Sequence, residues 1–200
     1  MKIVYVDDDI LAVDKPPGLL SVPGLVSPNN LYDQVRAHYP NARVVHRLDM
    51  ATSGLILFAL NHTSQTHLSK QFEHKQISKT YLAIVEGNVP KDKGQICMPM
   101  LCDWPNRPKQ KVDWLEGKFA QTYFEVAHRK DKTTKLILKP VTGRSHQLRV
   151  HCAHMGHPIM GDELYGKKSK RLMLQATQID FTHPCSLKNL ELKIAEDFAC

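Results

Sequence analysis

The chain has 200 residues, 42% of them hydrophobic, and a formal net charge of +7. This is enough apolar material for the core of one domain or of two closely packed lobes. The first residues lack the pattern of a signal peptide, and the longest apolar run, residues 55–60, is far too short to cross a bilayer. Five irregularly spaced cysteines favour reduced thiols. We therefore expect a cytoplasmic protein.

The basic residues are concentrated in one part of the chain. Residues 105–150 contain 11 Lys and Arg against 4 Asp and Glu, and the difference, 11 minus 4, equals the whole net charge. Such a concentration is typical of a surface that follows a phosphate backbone. A solvated basic face explains the charge alone equally well.

In the first 75 residues, short apolar runs predict strands at 3–6, 10–13, 43–45 and 54–60. Two helices are predicted between these strands. Leu31 and Val35 recur at helical spacing before Pro40, which ends the first helix. Asn61 is a suitable N-cap for the second helix, whose apolar face contains Leu68.

The rest of the chain predicts further strands at 81–85, 121–126 and 135–139, the last two forming a hairpin around a basic turn at 129–132. Residues 88–94, rich in Lys, Pro and Gly, predict a loop. Residues 145–155 predict a helix, and short strands follow from Leu172. Many strands and few helices, without regular alternation, indicate one α+β domain over residues 1–200 with a large, mostly antiparallel sheet.

A candidate site lies in the His-Arg-Leu-Asp sequence at residues 46–49. If this segment is extended, Arg47 and Asp49 point to one side while His46 and Leu48 point to the other. A cation and a carboxylate would then emerge together, which suits a carboxylate that acts on a sugar beside a guanidinium that reaches into nucleic acid. A surface ion pair next to a strand is the structural alternative.

Two other segments carry candidate residues. The sequence after Gly143 predicts a glycine turn that opens a helix, with Arg144 in its first turn. An arginine there can pair in bidentate fashion with a carboxylate, or it can bind phosphate. Tyr81 begins an apolar strand, where a tyrosine is either part of the core or available to a site.

Two alternative sites are weaker. His151 and His154 have the spacing to share a metal ion, but no acidic residue lies near them before Asp162, and the sequence at 156–158 breaks the helix. We therefore expect no metal site. Residues 161–168 nearly match a phosphate-binding loop but lack its terminal Ser or Thr and carry two carboxylates, so we reject that function.

Taken together, these segments resemble the RluA family of pseudouridine synthases. The resemblance runs from Asp14 to Ala176, and the His-Arg-Leu-Asp sequence followed by Thr-Ser-Gly is highly specific. It implies the pseudouridine synthase fold, with a large mixed, mostly antiparallel sheet and flanking helices and loops around a central cleft. It also implies an isomerase without cofactor or metal. Relatives usually have Leu and His at the positions of Met173 and Gln175, and many carry a separate RNA-binding domain before the catalytic one, which we do not expect here.

The resemblance also implies roles for individual residues. Asp49 matches the catalytic aspartate of the family and Arg144 the arginine that pairs with it. Tyr81 matches the tyrosine stacked against the target base. Arg47 resembles the arginine that enters the RNA stack when the uridine leaves it, and Leu148 falls where an aliphatic side chain lines the pocket.

The loop at residues 102–112 resembles that of the subgroup that modifies both transfer RNA and large-subunit ribosomal RNA. Its basic and aromatic residues are expected to grip a hairpin: Trp104, Arg107, Lys109 and Lys111. The implied substrates are the first uridine of the anticodon loop in some tRNAs and a hairpin-loop uridine of 23S rRNA. We expect a monomer. The alternatives are an inactive RNA-binding module and a family member that acts on rRNA only.

Overall fold

A computed structural model of the chain describes residues 1–24 and 27–198. These residues form two units, one made of Met1–Lys79 with Gln175–Glu196 and the other of Thr80–Leu174 with the residues from Asp197 onward. Within the described residues there are three α-helices and 12 strands. This composition and the sheet topology confirm the predicted α+β class.

In chain order the elements are β1 (Lys2–Val6), β2 (Ile10–Lys15), α1 (Leu31–His38), β3 (Arg43–Val44), β4 (Ser53–Ala59), α2 (His62–Glu73), β5 (Ser78–Glu86), β6 (Lys93–Cys97), β7 (Met100–Cys102), β8 (Gln110–Val112), β9 (Gln121–Lys130), β10 (Thr133–Pro140), α3 (Gln147–His154), β11 (Leu174–Thr182) and β12 (Asn189–Lys193). A short 3-10 helix, Trp104–Asn106, lies between β7 and β8.

The sheet of the first unit is mixed. β1 pairs with β2 and β2 with β4 in antiparallel fashion, whereas β4 and β11 run parallel, with Ser53 opposite Gln175. β12 then pairs with β11 antiparallel. Every residue of β4 is buried, which explains why its sequence is a continuous apolar run without alternation.

Both helices of the first unit begin at an asparagine. The Asn30 side chain accepts a hydrogen bond from the backbone N–H of Asp33, and the Asn61 side chain accepts one from that of Ser64. These bonds satisfy N–H groups that have no partner within the helix. The two predicted helices, the Asn61 cap and the end of α1 before Pro40 are confirmed.

The second unit has an antiparallel sheet in the order β5, β10, β9, β6. The predicted hairpin is confirmed, although β9 and β10 extend further than expected and leave only Asp131 and Lys132 as the turn. Asp131 has a φ of 53°, a left-handed conformation that aspartate tolerates in tight hairpin turns. Strand β6 begins at Lys93, inside the predicted loop. The strand was not predicted because only Ile96 is buried, so its sequence carries almost no hydrophobic pattern.

Two general features bear on the expectations from composition. The longest helix, α2, has 12 residues, and no helix in residues 1–24 and 27–198 is long and apolar enough to cross a membrane. The cysteines in that part of the chain are not in disulfides, as the irregular spacing indicated: Cys97, Cys102, Cys152 and Cys185.

Candidate active site

The backbone around Asp49 is fixed by hydrogen bonds to Leu48. The Ser21 hydroxyl donates to the Leu48 carbonyl at 2.6 Å and accepts from the Leu48 N–H at 3.0 Å. The Thr52 N–H donates to the Asp49 carbonyl at 3.1 Å and closes a turn. Leu48 is buried and Arg47 is exposed, as expected of an extended segment whose neighbouring side chains point in opposite directions.

His46, at the start of this segment, is held inside the first unit. Its Nε2 accepts the Leu57 N–H at 2.8 Å, and its ring stacks on Phe72 with centroids 4.8 Å apart. Burial, with a smaller contribution from the positive charge of Lys79, lowers the pKa of His46 to about 3. The ring is therefore neutral near pH 7 and anchors the segment instead of exchanging protons.

Lys15 is fully buried, and its ammonium group contacts the backbone directly after Asp49. Its ammonium group donates to the carbonyls of Pro16 at 3.0 Å, Leu19 at 2.7 Å and Met50 at 3.1 Å. Desolvation lowers the pKa of Lys15 to about 8, and the negative charge of Asp49 opposes this shift. A buried cation thus lies within electrostatic reach of Asp49.

Sequence reasoning missed Lys15 as a site residue and treated it only as part of a turn. The available signal was a lysine at the end of an otherwise buried strand, followed by two prolines and Gly18. Proline has no backbone N–H, so a turn that contains two prolines has fewer backbone donors than carbonyl acceptors. The remaining carbonyl oxygens need a side-chain donor such as the Lys15 ammonium group.

The Thr-Ser-Gly sequence at residues 52–54 is explained by the neighbouring strand. Gly54 has a φ of 110°, and a Cβ at this position would collide with the backbone of Ala176 in β11. Only glycine fits both constraints. Gln175, which departs from the residue usual in relatives, is fully buried, lies opposite Ser53 and donates from Nε2 to the Ala195 carbonyl at 3.1 Å. It therefore has a structural role in the first unit.

Arg144 lies in the second unit, in a loop before α3. The prediction that it belongs to the first turn of the helix is wrong, because α3 begins at Gln147 and His146 has a left-handed φ of 56°. The exposed Arg144 side chain donates from Nε to the Phe119 carbonyl at 3.2 Å.

The buried side chain of Gln147 holds the turn that carries Arg144. Its Oε1 accepts from the Thr142 hydroxyl at 2.7 Å and from the Arg144 N–H at 3.0 Å. Its Nε2 donates to the Gln121 carbonyl at 2.9 Å and to the Thr122 hydroxyl at 3.0 Å. All four hydrogen-bonding positions of the amide are used. Sequence reasoning missed this residue, since a glutamine among polar neighbours carries no pattern.

Tyr81 and Leu148 are also in the second unit. Tyr81 is partly buried in β5, where it lies opposite Leu138 of β10. Leu148 is in the first turn of α3 and is buried. The roles of Tyr81 and Leu148 in a pocket stay predictions.

The basic loop at residues 102–112 is built on the β7–β8 pair. Trp104 is 64% exposed, and the Arg107 Cζ lies 4.3 Å from the centroid of its ring, which is a cation–π contact. The Lys109 backbone is hydrogen-bonded on both sides within the loop, and Lys111 forms an ion pair with Asp113 at 3.1 Å. The loop therefore presents an aromatic ring and a guanidinium together.

The segment at 161–168 does not form a phosphate-binding loop. Asp162 is fully buried, and both of its oxygens accept hydrogen bonds from Arg149, at 2.8 Å and 2.7 Å. One of them also accepts the N–H groups of Leu164 and Tyr165. A carboxylate at the centre of the turn uses the backbone donors that a phosphate would need, so the rejection of this function is confirmed.

One group of possible metal ligands comes together in residues 1–24 and 27–198: Asp7, Asp9 and His183. The His183 Nδ1 accepts the N–H groups of Cys185 and Ser186, so its Nε2 carries the proton and donates to Asp7 at 2.9 Å. These ligand atoms are already used in hydrogen bonds that join the two ends of the first unit.

The candidate residues thus fall into two sets. Arg47 and Asp49 lie two residues apart in the first unit, and Asp49 interacts electrostatically with Lys15. The second unit contains the rest: Tyr81, Arg144, Leu148, Trp104, Arg107, Lys109 and Lys111. The pairing of Asp49 with Arg144 stays a prediction.

Comparison with known proteins identifies the family. The profile for RNA pseudouridylate synthase matches residues 9–154. The chain is 45% identical to the dual-specificity RNA pseudouridine synthase RluA of Escherichia coli K12, over 98% of this chain and 93% of that protein. It is 48% identical to the protein of the same name from Yersinia pestis, over 92% of this chain and 93% of that one.

A solved structure shows the same fold. Human RNA Pseudouridylate Synthase Domain Containing 1 superposes with a TM-score of 0.85 at 28% identity, covering 99% of this chain and 84% of that one. These similarities do not favour an inactive RNA-binding module. The chain belongs to the RluA family of RNA pseudouridine synthases and is an isomerase that acts on RNA.

Proposed function

We propose that Asp49 is the catalytic carboxylate of this enzyme and that it acts at the ribose of a uridine turned out of its RNA. The observation that carries this proposal is the support of the Asp49 segment by the buried ammonium of Lys15 and by the two hydrogen bonds between Ser21 and Leu48. A backbone held in this way supports the positional accuracy that catalysis requires of the Asp49 side chain.

The chemistry follows from the product. Uracil is cut from ribose at N1, turned and rejoined through C5, so every atom is retained and we propose no cofactor and no metal. Attack on the anomeric carbon, addition to the uracil ring and removal of a ribose proton all begin with an ionised carboxylate. The buried positive charge of Lys15 attracts the Asp49 carboxylate, and we propose that Arg144 pairs with the same carboxylate.

Arg47 and Tyr81 complete the proposed site. Turning a nucleotide out of folded RNA costs about a few kcal/mol. Arg47 is exposed beside Asp49, and its guanidinium offsets part of that cost by stacking in the vacated space. Tyr81 holds the detached base by stacking, and Leu148 lines the pocket.

The proposed substrates are the anticodon stem-loop of some tRNAs, at its first loop uridine, and a hairpin loop of 23S rRNA. Support comes from the dual specificity that the names of the bacterial relatives state and from the exposed Trp104 and Arg107. We further propose that the chain acts in the cytoplasm, as a monomer, and that residues 1–200 form one catalytic domain.

Asp49→Asn tests the catalytic role. We expect this variant to bind an anticodon stem-loop transcript with unchanged affinity and to form no detectable pseudouridine, because the amide cannot act as a carboxylate. Asp8→Asn, at an exposed aspartate of the same unit, is the control and should be fully active. Normal product from the Asp49→Asn variant would remove Asp49 from its role.

Arg47→Ala tests base flipping. The variant should bind RNA but convert it slowly in a single turnover, whereas Arg43→Ala, at another exposed arginine of the first unit, should not. An unchanged rate would refute the role of Arg47. Chemical mapping of pseudouridine across total RNA, from cells with and without the gene, identifies the target uridines. A loss confined to rRNA would contradict the dual specificity.

A further inference from the structure

The turn formed by residues 113–119 exposes three large apolar side chains. Trp114 is 70% exposed, Leu115 96% and Phe119 53%. Single exposed apolar residues are normal on a protein surface, but three within six residues form a local patch of the kind that contacts a partner. None of these three side chains has a role in the site proposed above.

The exposure is imposed by a rigid backbone. The Asp113 carboxylate accepts the N–H groups of Leu115 and Glu116 at 3.1 Å and 3.0 Å, and the Gly117 N–H donates to the Asp113 carbonyl at 3.0 Å. A Cβ at Gly117 would collide with that same carbonyl oxygen. The turn is thus closed by its own residues, and its apolar side chains are held outward.

The turn is also fastened to the elements on either side. Lys118 and Met100 exchange two backbone hydrogen bonds, of 2.8 Å and 2.9 Å, so the end of the turn pairs with β7. Asp113 follows directly after β8, and its carboxylate pairs with Lys111 of the basic loop. At the other end, the Phe119 carbonyl accepts the Arg144 guanidinium at 3.2 Å. The patch therefore lies between the basic loop and Arg144.

We propose that the turn at residues 113–119 is a second RNA-binding element, in which Trp114 stacks on an unpaired base and Leu115 packs against the adjoining nucleotide. This inference rests on the proposed function, because it takes the basic loop and Arg144 as parts of the RNA-binding surface. A rigid exposed indole is a suitable platform for a base, since every base has a π-face and little side-chain entropy is lost.

The charge of the surroundings selects RNA as the occupant. Residues 105–150 carry an excess of seven positive charges, from 11 basic and 4 acidic residues. Within the turn the exposed Lys118 balances the exposed Glu116, and Asp113 is paired with Lys111, so the positive charge comes from the surrounding residues. A second copy of this chain docked symmetrically on the turn would bring two such basic surfaces together, which is unfavourable. A phosphate backbone gains from the same charges.

The test measures the affinity of an anticodon stem-loop transcript for the full chain and its single-turnover rate at saturating RNA. Trp114→Ala should raise the Kd roughly tenfold, Trp114→Phe should recover most of the affinity, and Leu115→Ala should have a smaller effect. Leu187→Ala is the matched control, because Leu187 is 65% exposed but belongs to the other unit. It should bind RNA as the wild type does. All variants should melt within a few degrees of the wild type.

Salt dependence separates stacking from charge. Trp114→Ala should leave the slope of log Kd against log salt unchanged, whereas Lys118→Gln should reduce it by about one phosphate contact. An unchanged Kd in Trp114→Ala would overturn the inference. So would a concentration-dependent dimer that this substitution abolishes, because the patch would then be a protein interface. Failure of the proposed function is recognised separately, by pseudouridine formation in Asp49→Asn.

Discussion

Replacing Lys15 with methionine tests the role of the buried cation. Methionine has a similar length and is apolar, so Lys15→Met removes the charge and the hydrogen bonds while largely filling the same space. The carbonyls of Pro16, Leu19 and Met50 then lose their shared donor. We expect a less stable protein and a lower rate of pseudouridine formation, because the turn that holds Asp49 is released.

The expected loss of stability follows from two opposing contributions. Three hydrogen bonds from a charged donor contribute about 2 kcal/mol each, or about 6 kcal/mol together. Removing the ammonium recovers the free energy spent on its burial. The net lowering of the Lys15 pKa from 10.5 to about 8, which is the effect of burial less the attraction of Asp49, corresponds to about 3 kcal/mol against the charged form. The free energy of unfolding should therefore fall by about 3 kcal/mol at pH 7.

The effect of Lys15→Met on the free energy of unfolding depends on pH, and the sign of this dependence follows from the Lys15 pKa. The pKa of Lys15 is lower in the folded protein than in the unfolded chain, so between about pH 8 and pH 10.5 the unfolded chain binds more protons. The contribution of Lys15 to stability therefore rises with pH over this window. Methionine lacks this contribution. The difference in unfolding free energy between wild type and variant should widen by up to about 3 kcal/mol from pH 7 to pH 10.5.

Urea denaturation at a series of pH values measures both quantities, and Lys2→Met is the control. Lys2 is exposed in the neighbouring strand and pairs with Asp14 at 2.9 Å, so its loss should change stability by less than about 1 kcal/mol. If Lys15→Met lies within about 0.5 kcal/mol of the wild type at pH 7, or if the difference does not vary with pH, the reasoning is wrong.

Three further predictions concern stability. Gly54→Ala should lower the free energy of unfolding by about 3 kcal/mol or more, because the new Cβ meets the Ala176 backbone at a strained φ; a loss below about 1 kcal/mol in urea titration would contradict this. Asp162→Asn should cost about 3–5 kcal/mol by leaving Arg149 without its charged partner, and combining it with Arg149→Met should recover part of that loss in thermal unfolding. The pKa of His46 is lowered to about 3 in the folded state, so the wild type should lose stability as pH falls below 6.5, and His46→Phe should weaken that dependence in acid titrations.

Elements with a strong pattern were predictable from the sequence. The apolar run of β4 and the Asn61 cap of α2 each rest on local chemistry that the chain states directly. Strands β6, β7 and β8 were not predicted. Each has three to five residues and buries at most one of them, so neither alternation nor an apolar run is visible.

The site residues divide in the same way. The segment at 46–49 could be singled out because its motif is local. Lys15 and Gln147 could not be recognised, because hydrogen-bond partners that define their roles lie far away in the chain. These partners are the Met50 carbonyl for Lys15 and the Thr122 hydroxyl for Gln147. The start of α3 was misplaced for a related reason, since the left-handed backbone of His146 has no sequence signal.

The saturated amide of Gln147 limits how this enzyme can diverge or be redesigned. A change at Thr122, Thr142 or Gln147 alone leaves a buried polar group without a partner. We therefore expect the residues at these three positions to be conserved together. A library aimed at new RNA targets should keep this set constant and randomise the outward-facing positions of the basic loop instead. If the basic loop contacts RNA as proposed, variation there changes what is bound without loosening the turn that carries Arg144.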